Sequence, residues 1–262
     1  WDTEYDSHKF GQLESLVTSP DCFMLESLEL GGDSSFLSGH LELLSHLRLS
    51  SLSLRNIEIN ELQARVIADS SSLSGLSSLD LCGTNSEYGK IRDEGVRAIA
   101  ESENLRNLSS LVLDENEIGP DGVWALAQST TLSNLSSLAL NENEIGPDGA
   151  RVLAETTTLT KLSSLELFAG SIGVAGARAL ASSMTLSNLS SLNLAYNEIG
   201  PDGALAIAES TTLSNLSSLD LAYNKIGPDG AHALAESTTL TNLSSLALGY
   251  NDIGDDGVRA LA

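Results

Sequence analysis

From Leu25 onward the apolar positions of this chain fall into one recurring frame, L-x-x-L-x-L. Its first leucines are Leu25, Leu49, Leu76, Leu108, Leu135, Leu162, Leu189, Leu216 and Leu243. The steps between them are 24, 27 and 32 residues, followed by five of 27; the step of 32 carries a five-residue insertion in the stretch CGTNSEYGK, residues 82–90. A period of this length marks a stack of units, each of which buries its apolar face only against its neighbours.

Each unit has two halves. In LSSLDLAYNKIGPDGAHALAESTTLTN, residues 216–242, Leu219 and Leu221 alternate with Ser218, Asp220 and Ala222, the period-2 pattern of a short half-buried strand. Further on, Pro228 suits a first helical turn, Asp229 suits the positive end of a helix dipole, and Ala231, Leu234 and Ala235 recur at helical spacing. The unit therefore reads strand, turn, helix, return. Gly230 and Ala231 let the helix pack closely, and units wider on the helix side than on the strand side must curve as they stack. Nine parallel strands ~4.8 Å apart span a sheet of roughly 40 Å on the concave wall.

Asn116, Asn143, Asn197, Asn224 and Asn251 stand eight residues after the first leucine of their units. A side-chain amide donates and accepts at once, so this position is expected to satisfy backbone groups where the chain leaves each strand. Asp33, Ile57, Thr84 and Gly170 occupy it in other units and are expected to interrupt the ladder.

The pattern LxxLxLxxNxIGxxGAxALA resembles the leucine-rich repeat, in the subtype of ribonuclease inhibitor and of the bacterial GALA repeat proteins. The resemblance runs from about Leu25 to Ala262. It implies an α/β horseshoe, with a parallel sheet on the concave face, helices on the convex face, and a concave surface that recognises proteins. GTPase-activating proteins of the Ran type and the sensor regions of nucleotide-binding immune receptors share the subtype, but five equal steps are more regular than theirs usually are. Residues 1–24 fall outside the repeat and are expected to cap the first unit, with residues 25–262 forming one domain of about nine units. The chain opens on Trp1, which reads as a processed or excised piece, and stops at Ala262 without a closing polar unit. That leaves a strand edge open for further repeats, a partner or end-to-end self-association.

In this resemblance the outward positions are the second, third, fifth, seventh and eighth of each unit. The second and third are Ser-Ser in eight of nine units and discriminate little. Variation concentrates at the other three, where two neighbourhoods emerge. Asp114, Glu115, Glu142 and Glu166, with Glu117 and Glu144 just beyond, lie within three consecutive units and repel one another unless something cationic sits among them. They read either as a docking patch for a basic protein or as a solvated acidic face. The second neighbourhood holds Phe168, Asn193, Tyr196, Asp220, Tyr223 and Tyr250, with the tyrosines 27 residues apart. Rings repeated along a parallel stack can brace one another or anchor a protein side chain or a sugar face. A protein-binding scaffold is the leading functional reading, and a glycan-binding surface or adhesion protein using the tyrosine row is the alternative. A GTPase-activating-type regulator is a further one.

Composition narrows the partners. With 36 acidic and 13 basic residues the formal charge is -23, which repels nucleic acid and anionic lipid and favours basic protein surfaces. No apolar run approaches the ~20 residues of a membrane span, and the first 25 residues lack the basic start and apolar core of a signal peptide. A cytoplasmic location is the working expectation, with a secreted or cell-surface one as the alternative. Cys22 and Cys82 read as free thiols, and His8, His40, His46 and His232 show no metal-ligand spacing. DENEIG, beginning at Asp114, resembles a calcium loop but puts Ile118 and Ala125 where oxygen ligands are required. No phosphate loop, nucleophile elbow or Ser-His-Asp pattern is present, so neither an enzyme nor a cofactor is expected. Five N-L-S sequons, at Asn107, Asn134, Asn188, Asn215 and Asn242, arise from the repeat itself and bear glycans only in a eukaryotic secretory route.

Overall fold

The computed structural model describes residues 25–30, 47–84, 86 and 88–262. The expected cap over residues 1–24, the ladder break at Asp33, and Cys22, His8, His40 and His46 lie outside them. Nine three-residue strands form one parallel sheet in chain order: β1 Ser27–Glu29, β2 Ser51–Ser53, β3 Ser78–Asp80, β4 Ser110–Val112, β5 Ser137–Ala139, β6 Ser164–Glu166, β7 Ser191–Asn193, β8 Ser218–Asp220 and β9 Ser245–Ala247. Their central leucines pair in register, Leu111 with Leu138 and Leu138 with Leu165, so the frame found in the sequence is the register of the sheet. Among the described residues eight α-helices follow, from β2 on: α1 Glu61–Asp69, α2 Arg92–Ala100, α3 Pro120–Gln128, α4 Gly146–Ala154, α5 Gly173–Ala181, α6 Gly200–Ala208, α7 Gly227–Ala235 and α8 Gly254–Leu261. The sheet forms one layer and the helices the other, the α/β horseshoe that the resemblance to leucine-rich repeats implies.

The core lies between the two layers. Each strand contributes its leucines, such as Leu111 and Leu113, the turn adds Ile118, and the helix adds Val123 and Leu126, all buried. Burial thins in the last unit, where Leu246 and Leu248 are only partly covered and Val258 is exposed. The helices approach one another over small residues, as the sequence pattern implies. A Cβ on Gly230 would stand 2.3 Å from Ile226 Cγ2 and 3.1 Å from Ala204 Cβ on the preceding helix. Three residues earlier Gly227 turns the chain into α7 at φ +65°, a left-handed conformation that glycine adopts without penalty.

Most polar residues of the repeat are spent on the backbone of the preceding unit. Asn224 Nδ2 donates to Leu194 O at 2.8 Å, while its Oδ1 accepts from Asn197 N at 2.9 Å and Ile199 N at 3.2 Å. Asn116, Asn143, Asn197 and Asn251 make the same kind of bonds, and all five are buried. The ladder breaks at Ile57, Thr84 and Gly170, which carry no amide, as the sequence implies.

Two further ladders were not anticipated. The second-position serines donate to the matching carbonyl one unit back, Ser136 Oγ to Ser109 O and Ser163 Oγ to Ser136 O at 3.0 Å each. The wall of hydroxyls is therefore a set of clamps as well as a surface. On the other side the hydroxyls that follow each helix close the preceding helix end, as Ser210 Oγ does for Ala181 O at 2.6 Å. The sequon asparagines join in: Asn188 Nδ2 donates to Thr160 O at 2.8 Å and Asn215 Nδ2 to Ser187 O at 2.7 Å.

Candidate interaction surface

The surface is built where the chain leaves each strand. Ladder bonding continues past the strand to the eighth position, with Glu115 N donating to Asn141 O at 2.9 Å and Tyr223 N to Gly249 O at 2.9 Å. At that position the backbone turns left-handed, with φ of 55° at Glu115, 53° at Glu142, 52° at Ala169, 64° at Tyr196, 56° at Tyr223 and 57° at Tyr250. A side-chain-bearing residue there costs about 1 kcal/mol or more relative to glycine. Six successive units carry that cost, five with a buried asparagine next in the chain and one, Ala169, with Gly170.

The acidic neighbourhood is linked rather than merely crowded. Asn141 stands between Asp114 and Glu166: its N–H donates to Asp114 Oδ1 at 2.9 Å and its Nδ2 to Glu166 Oε2 at 3.0 Å. The Asn141 Oδ1 in turn accepts from Phe168 N at 2.9 Å. Burial pushes the Asp114 carboxyl above the usual aspartate range, the bonds from Asn141 oppose this, and nearby Glu166 adds to it. Glu117, beyond the strand, is paired with Arg92 at 3.0 Å. The insertion is tied to the rim beside this group, with Lys90 Nζ donating to Thr84 O at 2.5 Å and Glu115 O at 2.7 Å.

Sequence reasoning passed over a second cluster, in the early units. Arg55 pairs with Asp80 at 3.0 Å, and Asp80 also accepts from Ser53 Oγ and Cys82 N. Two residues of opposite charge 25 positions apart were a usable signal once the register was known. Cys82 beneath them is buried, which pushes its thiol up to about 11.

The aromatic neighbourhood forms one continuous row. Ring centroids lie 5.9 Å apart between Phe168 and Tyr196 and 5.2 Å between Tyr196 and Tyr223, tilted by 51° and 43°. Tyr223 and Tyr250 stack at 4.2 Å and 12°. Tyr223 thus has a ring on each side, yet it remains 43% exposed, against 56% for Tyr196 and 77% for Tyr250. Of the two polar residues expected beside the row, each has one oxygen occupied locally: Asn193 Oδ1 accepts from Ala195 N at 3.0 Å and Asp220 Oδ1 from Ala222 N at 2.9 Å. From β3 to β9 the fifth, seventh and eighth positions carry Asp80, Asp114, Glu115, Glu142, Glu166 and Asp220 and no lysine or arginine.

Among the described residues no group of three or more His, Cys, Asp or Glu side chains is placed to hold a metal ion. No helix among them is long and apolar enough to cross a membrane.

Five stretches of the chain match the leucine-rich repeat family: residues 104–127, 131–154, 185–208, 212–235 and 239–262. Together they make up less than half of the chain. They are the units that carry Asn116, Asn143, Asn197, Asn224 and Asn251, and the unit skipped between them is the one with Gly170. No curated protein matches the chain. Among solved structures, an internalin from Listeria monocytogenes is similar over 100% of this chain and 93% of its own, at 20% identity and a TM-score of 0.32, a superposition too loose to carry any argument.

Proposed function

Since the chain is built of leucine-rich repeats, we propose that it is an interaction scaffold that recognises a protein partner on its concave sheet face, the partner presenting a basic patch beside an apolar projection. The repeats belong, in this reading, to the ribonuclease-inhibitor-like or GALA-type subtype, on the strength of GPDGAxALA-like helices at 27-residue spacing. The observation that carries the proposal is the charge pattern: six carboxylates and no basic side chain at the outward positions from β3 to β9, next to four touching aromatic rings. An acidic surface of this kind accelerates encounter with a basic partner, and partly exposed rings hold the complex once formed. Glu115, Glu142 and Glu166 meet the basic patch; Tyr196, Tyr223 and Tyr250 meet the apolar projection. A sugar stacked on a ring face is disfavoured at Tyr223, which has Tyr196 on one side and Tyr250 on the other. Non-enzymatic binding is the role this surface suits.

The test is kinetic. A partner captured from cell extract is measured against Glu115→Gln/Glu142→Gln/Glu166→Gln and, separately, Tyr223→Ala. The first set is expected to slow association and flatten its salt dependence; the second is expected chiefly to speed dissociation. If affinity survives both and is lost instead on changing Arg178 or His232, on the helix side, binding is convex and the proposal fails.

A further inference from the structure

The sheet face contains a trough whose chemistry specifies more than a basic protein. In the last three units the seventh-position residues are Ala195, Ala222 and Gly249, a floor of small side chains. Tyr196, Tyr223 and Tyr250 stand along one side of it, and the fifth-position column of Asn193, Asp220 and Ala247 along the other, with Glu166 one strand before Asn193. The register pairs Glu166 with Asn193 and Asn193 with Asp220, so the two carboxylates are two strand steps apart, ~9.6 Å at ~4.8 Å per step. Asp114, two units earlier, lies in the neighbouring seventh-position column and reaches Glu166 through Asn141. The fifth-position column thus runs Val112, Ala139, Glu166, Asn193, Asp220, with one amide between two carboxylates.

A ligand lying along that axis must present cations at the same interval on one face. A polyproline II segment returns to the same face every three residues, ~9.3 Å. A β-strand does so every two residues, ~6.7 Å, and an α-helix every turn, ~5.4 Å. The first lies closest to ~9.6 Å, with two helical turns, ~10.8 Å, overshooting it. Polyproline II segments also dock in aromatic-lined grooves with little ordering entropy left to lose. Tyr196 and Tyr223 are 56% and 43% exposed, which leaves ring surface for a proline side chain to lie against. Carboxylate capacity remains, since an ionised carboxylate accepts about four hydrogen bonds and Asp220 has one oxygen occupied locally.

We infer that the trough binds an extended, proline-rich segment of the partner with arginine or lysine at every third residue, its cations meeting Glu166 and Asp220 and its prolines lying against Tyr196 and Tyr223. The inference rests on the concave-face scaffold reading above. Fluorescence anisotropy at physiological ionic strength tests it with three labelled peptides, RPPRPPRPPRPP, RRPPPPPPPPRR and EPPEPPEPPEPP. The first two carry equal charge, and the third inverts it. The first is expected to bind at least tenfold more tightly than the second, and the third not at all. Asp220→Asn, which keeps an oxygen for Ala222 N, and Tyr223→Ala are each expected to weaken the first peptide about tenfold. Equal binding of the two arginine peptides overturns the inference and leaves an unspecific acidic face. Failure of all three peptides, while a captured folded partner still depends on Glu166 and Tyr223, overturns it and leaves the scaffold reading intact. If neither the peptides nor the folded partner depend on this face, both fall.

Discussion

Asn224→Ala removes four contacts from a site with no solvent exposure. The donors Leu194 O and Ala222 O lose are replaceable, because Leu194 O also accepts from Asn197 Nδ2 at 3.1 Å and Ala222 O from Tyr196 N at 2.9 Å. The two N–H groups served by Asn224 Oδ1, on Asn197 and Ile199, are then orphaned in the buried turn. At about 1–3 kcal/mol for each buried donor left unmade, the substitution should cost about 2–6 kcal/mol. Repeat arrays need not unfold in one step, so a single melting curve averages over units. Native-state hydrogen exchange resolved at the Asn197 and Ile199 amides reads the local loss directly, and protection there should fall at least thirtyfold. The reciprocal change, Gly170→Asn, should complete the ladder between Asn143 and Asn197. It should gain roughly 1 kcal/mol from a new bond to the Asn143 amide, despite a Cβ 3.2 Å from Leu167 O, since five other units hold asparagine at this position. Unchanged protection in Asn224→Ala, or a loss of stability in Gly170→Asn, would refute the view that these amides hold the units together.

Two further outcomes follow from the charged and thiol groups of the sheet face. The Asp114 carboxyl, facing Asn141, Glu166 and Arg55, has its folded pKa raised, so its contribution to stability is complete below the ordinary aspartate range and is lost as pH rises through the folded value. Asp114→Asn, which keeps an oxygen for Asn141 N, should therefore be more stable than the natural chain at neutral pH and lack the decline between mildly acidic and neutral pH; parallel denaturant titrations at pH 4 and 7 measure both. Cys82, buried and with its thiol pushed up to about 11, should resist a thiol reagent at pH 8 in a Cys22→Ser background and react fully once urea unfolds the chain, whereas rapid labelling of the folded protein would place the residue at the surface.

The fold was legible in the sequence because the leucine frame is the register itself: Leu111, Leu138 and Leu165 are both the letters that recur and the side chains that pair. Asn116 and its equivalents were legible for the same reason, as a polar residue repeated at one apolar turn has to serve backbone. The serines were harder. Ser136 and Ser163 look like surface until the neighbouring carbonyl is placed 3.0 Å from each hydroxyl. The surface was legible only in its letters. That Asn141 joins Asp114 to Glu166, or that Arg55 meets Asp80, depends on side chains one unit apart, and a period read along the chain lists such neighbours without saying which of them touch. The left-handed turn at Tyr196, Tyr223 and Tyr250 was invisible for a different reason, since no glycine marks it. The turn belongs to the repeat rather than to one neighbouring letter, since Asn56 before Ile57 and Ala169 before Gly170 adopt it too.

The central claim is that the repeated side chains hold the solenoid while the unrepeated ones on the sheet face bind. Hydrogen–deuterium exchange of the free protein and of its complex with a captured partner tests it most directly. The account predicts added protection in the turns that follow β4 to β9, at Glu115, Glu142, Tyr196, Tyr223 and Tyr250, with α3 to α8 unchanged. Protection confined to the outer helices, with those turns exchanging as in the free protein, would contradict it.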